Sequence, residues 1–384
     1  MRGIFMEFIP VYQPSLTGNE KKYVNECLDT SWISAKGKFV EQFETAFAKY
    51  VGADHAITVA NGTVALHLAL IALGIGRGDE VIVPTLTYVA SVNAIAYTEA
   101  TPVFVDSLKG NWQVDPDDIE RKITEKTKAI MVVHLYGHPC DMGRIMEIAK
   151  RHDLFVVEDC AEGFGSYFAG QHVGTFGDIS TFSFYGNKTI TTGEGGMVVT
   201  NDETLYARAT HLKDQGMAKF RQYWHDVIGY NYRMTNICAA IGLAQLEQAE
   251  KFLRQKRDIA AWYQKYLQGT PVEFHQEDAN VHHSYWMCSI LVPKSAERDP
   301  LRELLKERNV ETRPVFYPVH TMPMYSQKYQ KHKNAEDIGW RGMNLPSWQG
   351  LSEDQVRYIC DVIHEFYRDA MAGEKVSTGE MKPV

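Results

Sequence analysis

Thr181-Phe182-Ser183-Phe184-Tyr185-Gly186-Asn187-Lys188-Thr189-Ile190-Thr191-Thr192-Gly193-Glu194-Gly195-Gly196-Met197-Val198-Val199-Thr200 reads as an apolar strand, a polar turn with one lysine, a glycine cluster and a second apolar strand. Lys188 therefore sits alone at the tip of a hairpin-like unit, with Glu194 as the nearest carboxylate in sequence. An amine held by rigid strands among small neighbours has the setting that carbonyl chemistry needs, because the amine must shed its charge to react. A solvated loop lysine is the ordinary alternative, and the rest of the chain decides between the two.

Outward from that unit, strands and helices alternate. Residues 56–60, 81–84, 102–106, 129–133 and 154–159 are short, continuous apolar runs, and helical patterns separate them. Runs of that kind predict an α/β chain with a mostly parallel sheet covered by helices on both faces and ligands beyond the carboxyl ends of the strands. Thr63, Tyr88, His134, Asp159 and Ser183 all fall at or just past such ends. Asn61-Gly62-Thr63 opens an apolar helix whose free N–H groups suit a phosphate, although as a bare cap it would need no ligand.

Before the sheet, Thr17-Gly18-Asn19-Glu20 has the spacing of a capping box, and 30–38 reads as a loop. Phe39, Phe43 and Phe47 share one helical face and are expected in the core. His134, His138, Cys140 and Asp141 invite a metal reading, but Gly137 and Pro139 break the helix that His-x3-His spacing would require, so no metal is expected. The domain reading is a large unit over 9–248, a smaller C-terminal α/β unit over 249–370 and a disordered tail over 371–384.

At 384 residues the chain is long enough for a large and a small domain. No apolar run approaches the ~20 residues of a membrane span, and the amino terminus lacks the apolar stretch of a secretory signal. Six scattered cysteines without a CxxC pair suit a reducing cytoplasm, and a formal charge of -8 disfavours nucleic acid as partner.

Gly62 and Thr63 for a phosphate, Tyr88 for a ring face, Asp159 for a ring nitrogen, the Ser183 hydroxyl and the Lys188 amine are together the parts that pyridoxal phosphate (PLP) needs. Through Asn61-Gly62-Thr63, Glu158-Asp159-Cys160-Ala161-Glu162, Ser183 with Lys188, Gly193-Glu194-Gly195-Gly196 and Asn231-Tyr232-Arg233-Met234, the chain resembles the sugar aminotransferases of the DegT/DnrJ/EryC1/StrS family. The resemblance runs from about Ile9 to Tyr367. It implies the aspartate aminotransferase fold, fold type I, with PLP as cofactor.

Position by position, the resemblance implies that Lys188 carries the cofactor and then moves protons, and that Asp159 pairs with the pyridinium nitrogen. Tyr88 and Ala161 would sandwich the ring, Gly62, Thr63 and Ser183 would bind the phosphate, and Glu162 would contact the ring hydroxyl, where many relatives have Gln. Asn231 would reach the phosphate in the neighbouring subunit, which makes a homodimer the smallest active unit. Residues 224–234 and 313–325 resemble the members that move an amino group from L-glutamate to C4 of GDP-4-keto-6-deoxymannose for O-antigen lipopolysaccharide. Trp32, Ser34, Arg313 and His320 are then the expected sugar-nucleotide contacts. Three alternatives stay open: another nucleotide-linked ketosugar, a dehydratase of the same family, in which histidine replaces the lysine, and a binding protein that has lost the chemistry.

Overall fold

The computed structural model describes residues 7–327 and 330–377. Its centre is a seven-stranded sheet in the order His55–Val59, Gly196–Thr200, Ile179–Ser183, Phe155–Asp159, Thr127–Val133, Glu80–Pro84, Thr101–Val105. Gly196–Thr200 runs antiparallel to both its neighbours; the other neighbouring pairs are parallel. Because strand side chains alternate between faces, Ile57 and Val59 enter one core with the helix Gly62–Leu73, while Ala56 enters another with Phe43 and Phe47. The expected phenylalanine face is fully in that core: Phe47 packs edge-on to Phe182 and Phe184 at 5.0 and 5.5 Å between ring centres.

The strands Ile179–Ser183 and Gly196–Thr200 are antiparallel neighbours, as the opening stretch predicted, and the loop between them is tightly bound. Phe184 N–H donates to the Gly195 carbonyl and Thr192 N–H to the Phe184 carbonyl, at 2.8 and 2.9 Å. Gly193 takes φ +82° there, a conformation that L side chains rarely adopt.

A second, four-stranded sheet orders Glu273–Phe274, Cys288–Leu291, Gly342–Leu345 and Arg313–Pro314, all antiparallel. The helices Ala249–Tyr266, Ser295–Glu307 and Glu353–Ser377 supply its core with Ile259, Tyr263, Leu301, Leu305, Ile359 and Ile363. Ile9 also belongs to this second core: it pairs with Val310, and Val11 N–H donates to the Glu311 carboxylate at 3.0 Å. The reading that began the first unit at residue 9 is corrected here, because that pairing closes over about 300 residues and no local pattern announces it.

Two further expectations change. Asn19 caps the first helix, Glu20–Asp29, without a side-chain cap bond; Glu20 instead accepts from the Gly18 amide and from Gln245 Nε2, at 2.8 and 2.6 Å. The last helix continues through Ser377, so 371–377 is helical rather than tail, in keeping with good helix formers such as Met371, Ala372 and Glu374. The rest of the expected tail, 378–384, lies outside the described residues.

Burial also sets an acid limit. His172, His275 and His332 are held below the usual imidazole value by desolvation, to about 4, about 3 and about 4. Each stays neutral in the folded chain, while the unfolded chain binds a proton below about pH 6.5. The stability they contribute is therefore complete above that pH and is lost as pH falls towards the folded values. We expect the thermal midpoint to fall steadily from pH 6.5 to 4, and to fall less steeply in His275→Gln; identical slopes for the two proteins would remove His275 from this account.

Candidate active site

The carboxyl edge of the parallel strands gathers the groups in question. Asn61 caps the helix Gly62–Leu73: its side chain accepts from Val64 N–H and its carbonyl from Ala65 N–H, at 3.0 and 3.1 Å. The amides of Gly62 and Thr63 are left at the positive end of the helix. A Cβ on Gly62 would lie 2.8 Å from Ser183 Cβ, so only glycine lets this helix start approach the end of the lysine-bearing strand. That close approach sets the helix start and the Ser183 hydroxyl side by side, an arrangement that suits an anion.

Asp159 ends the neighbouring strand, and its side chain is buried. Burial pushes its carboxyl above the usual range, while Ser91 Oγ–H donating to Oδ2 at 2.7 Å and the Ala161 amide donating to Oδ1 at 3.0 Å oppose that push. Among the described residues the Asp159 side chain has donors but no ion-pair partner, a state suited to a protonated ring nitrogen. Ser91 was missed from sequence. It sits three residues, one helical turn, beyond Tyr88, in contact with Thr87 Oγ1 at 3.0 Å, and that spacing was the available signal.

The Lys188 side chain is only 13% exposed, and burial lowers the amine's pKa. Its Nζ lies 3.9 Å from Glu162 Oε1 and 3.9 Å from the centre of the Trp286 ring. Burial raises the Glu162 carboxyl to about 7, against the pull of Lys188 and of the Tyr136 amide, which donates to Oε2 at 2.7 Å. Tyr136 meets that carboxylate from a left-handed conformation, φ 57°, and its hydroxyl accepts from Phe316 N–H at 2.8 Å. Tyr88 is more than half exposed, its ring 5.5 Å from that of Phe316.

The remaining predicted residues lie around this centre. Asn231 is exposed and accepts from Arg233 Nε at 3.1 Å. Trp32 and Ser34 are exposed, and their carbonyls accept from the side chain and backbone of Asn236, both at 2.7 Å. Arg313 is on an edge strand of the small sheet, 3.3 Å from Glu311. His320 is buried with both ring nitrogens engaged, Nδ1 with Thr85 Oγ1 at 2.7 Å and Nε2 with Glu336 at 3.2 Å, so a ligand reaching it must displace Glu336. Of the His134 to Asp141 cluster, His134 turns inward, where it forms a buried trio with Glu158 and Cys160. Glu158 accepts from His134 Nε2 and from the amides of Gly174, Phe176 and Gly177, so the trio is closed by its own hydrogen bonds.

A buried amine, a buried acid on the next strand and a glycine-lined helix start, on a doubly covered sheet with a smaller second unit, define a fold type I PLP-dependent aminotransferase. The chain belongs to the DegT/DnrJ/EryC1/StrS aminotransferase family, whose sequence profile matches residues 14–364. It is 68% identical to the GDP-perosamine synthase of Escherichia coli O157:H7, over 95% of this chain and all of that one. It is 51% identical to the GDP-perosamine synthase of Vibrio cholerae, over 94% and 99% of the two chains. The PLP form of the Streptococcus pneumoniae sugar aminotransferase Spr1654 superposes with a TM-score of 0.90 at 28% identity, covering 94% of this chain and 99% of that one. PLP is the cofactor of this family.

The residues present fit that group in their chemistry: the close packing of Gly62 on Ser183 sets a helix start beside a hydroxyl, and Asp159 is a buried acid held by a hydroxyl and an amide. In Gly62→Ala the new methyl meets Ser183, and we expect PLP affinity to drop about tenfold or more in a fluorescence titration, with the far-UV spectrum kept. Unchanged affinity would place the phosphate elsewhere.

Proposed function

We propose that this chain moves an amino group from L-glutamate to C4 of GDP-4-keto-6-deoxymannose, forming GDP-perosamine and 2-oxoglutarate, for O-antigen lipopolysaccharide. The observation that carries the reading is the amine at position 188, buried beside a carboxyl. An imidazole there would favour the dehydratase. The near full-length likeness to two GDP-perosamine synthases supports the choice of sugar and nucleotide.

Gly62, Thr63 and Ser183 would bind the cofactor's phosphate, Asp159 its ring nitrogen, Tyr88 and Ala161 its faces and Glu162 its ring hydroxyl. When bound, PLP supplies an electrophilic carbonyl for amine exchange and an electron sink that acidifies the carbon bearing the transferred nitrogen. Lys188 Nζ, whose pKa burial lowers, would take the α-proton of glutamate in its neutral form and, in the second half of the cycle, deliver a proton to C4 of the sugar. Ser91 and the Ala161 amide hold both oxygens of Asp159, so the carboxylate keeps its orientation while charge develops on the ring. The helix start beside Ser183 would hold the phosphate end, and Lys188 would serve the reacting end.

Trp32, Ser34, Arg313 and His320 are proposed sugar-nucleotide contacts, the last after Glu336 moves aside. A homodimer is proposed as the working unit: beside the exposed Asn231, the loop side chains of Phe220, Tyr223 and Ile228 are 78, 83 and 89% exposed, and a partner subunit would cover them. We place the division between cofactor-binding and smaller units at 248/249, with Ile9 and Val11 joined to the second. A reducing cytoplasm, where nucleotide sugars are made, suits six free cysteines, five of them buried. No helix among the described residues is long and apolar enough to cross a membrane.

The test is to mix the protein with PLP, L-glutamate and GDP-4-keto-6-deoxymannose and to take the mass of the nucleotide sugar. We expect the keto oxygen to be replaced by an amino group, with one 2-oxoglutarate formed per sugar, and Lys188→Ala to fold but not turn over. Loss of a hydroxyl without gain of nitrogen would mean the dehydratase. Turnover by Lys188→Ala would refute the assignment of the amine.

A further inference from the structure

The loop that carries Lys188 is held from outside the sheet in an unusual way. Three consecutive carbonyls, those of Asn187, Lys188 and Thr189, each accept a hydrogen bond from a side chain distant in sequence. Trp286 Nε1–H donates to the first at 2.7 Å, the Tyr12 hydroxyl to the second at 2.5 Å and Gln349 Nε2 to the third at 2.8 Å. Gln349 Nε2 also lies 3.3 Å from the Tyr12 oxygen, which joins two of the three donors.

Behind the donors lies a lysine that the proposed chemistry does not use. Lys256 is fully buried, and its Nζ donates to the carbonyls of Trp286 and Ser347. It also lies 5.3 Å from the centre of the Tyr12 ring. Among the described residues no carboxylate pairs with it: it meets two carbonyls and an aromatic face, and burial lowers its pKa to about 7. One amine thus touches the residue bearing the first donor, the ring bearing the second and the turn that leads to the third. A buried lysine without a counter-ion is costly to keep, and an apolar residue would fill the space more cheaply. The geometry gives a reason for it here, because it ties the three donors into one body.

The same indole that holds the Asn187 carbonyl lies with its face under Lys188 Nζ at 3.9 Å. Trp286 therefore restrains the lysine at both ends, through its backbone and at its amine.

We propose that Trp286, Tyr12 and Gln349 form a clamp that positions the Lys188 amine for proton transfer, with Lys256 bracing the clamp from behind. The clamp acts through Lys188, so its members are positioning residues. The proposal rests on the reading of Lys188 as the cofactor-bearing amine. It predicts that loosening the clamp slows the proton transfers without weakening the grip on the nucleotide sugar, because the loop and not the sugar pocket has moved.

The test uses the full chain loaded with PLP. Tyr12→Phe and Trp286→Phe each remove one donor and keep a ring, and Lys256→Met removes the brace. Four quantities are measured: kcat and KM for the nucleotide sugar, the pH midpoint of the visible absorption band of the resting protein without substrates, and the thermal midpoint. We expect kcat to fall about tenfold, as for roughly 1.4 kcal/mol of lost transition-state stabilisation, with KM within about twofold. The band's pH midpoint should move in Tyr12→Phe and Trp286→Phe, a change that loss of packing alone would not produce.

If Lys256→Met fails to fold, Tyr12→Phe, which loses a single oxygen, decides the matter. Unchanged kcat and an unmoved band in both ring-keeping variants, with only the thermal midpoint lowered, would overturn the clamp alone. If the unaltered protein forms no band that depends on Lys188, the assignment of the amine fails and the clamp fails with it.

Discussion

Desolvating one amine is the constraint on which the site depends. Removing a charged ammonium from water costs several kcal/mol even after the protein relaxes, and the group answers by giving up its proton. The Lys188 loop is short, it is bonded back to its own strands, and it lies over an indole face that excludes water from one side of the amine. Glu162 at 3.9 Å limits the effect, since its charge pulls the amine back towards protonation. The two groups therefore share a proton balance that neither would have alone, and the Tyr136 amide, offered from a left-handed turn, holds the carboxyl in place for it.

Asp159 poses the complementary problem of keeping a buried acid ready for a cation. Its immediate support is Ser91 and the Ala161 amide, but the strand that carries it is also pinned from below. Glu158, one residue earlier and facing the other way, takes three backbone amides of the turn at 174–177 together with His134. His134 in turn donates its own amide to the Asp159 carbonyl at 3.2 Å. Adjacent carboxyls on one strand thus serve two ends, one binding the turn into the fold and the other left short of a partner at the ligand edge.

What could be read from the sequence was what neighbours along the chain decide. Continuous apolar strands, the phenylalanine face of the second helix, the Asn61 cap and the strand-loop-strand unit around Lys188 all rest on periods of a few residues, and all appear in the structure. Asp159 and Ser183 could be placed because strand ends are visible and such ends collect ligands. Ser91 was within reach, one turn beyond Tyr88. Trp286, Gln349 and the pairing of Ile9 with Val310 were not, because each meets its partner across roughly a hundred residues or more, and no local period encodes such a meeting. The capping-box reading at Thr17 failed for the same reason: Gln245, from a distant helix, competes for Glu20.

The pairing of Ile9 with Val310 also bears on how the protein is made. The segment of Ile9 and Tyr12 is synthesised well before Val310 and Gln349, with which it pairs. Domains tend to complete from the amino end as they emerge, yet here the earlier segment must wait, unpaired, until its partners near 310 and 349 have been made. The large sheet can assemble earlier, but the loop of Lys188 acquires the bond from Gln349 only after that residue has been made. A chain stopped short of Gln349 would hold those strands with the Lys188 loop missing one of its three outside bonds, so the order of that loop is set late in synthesis.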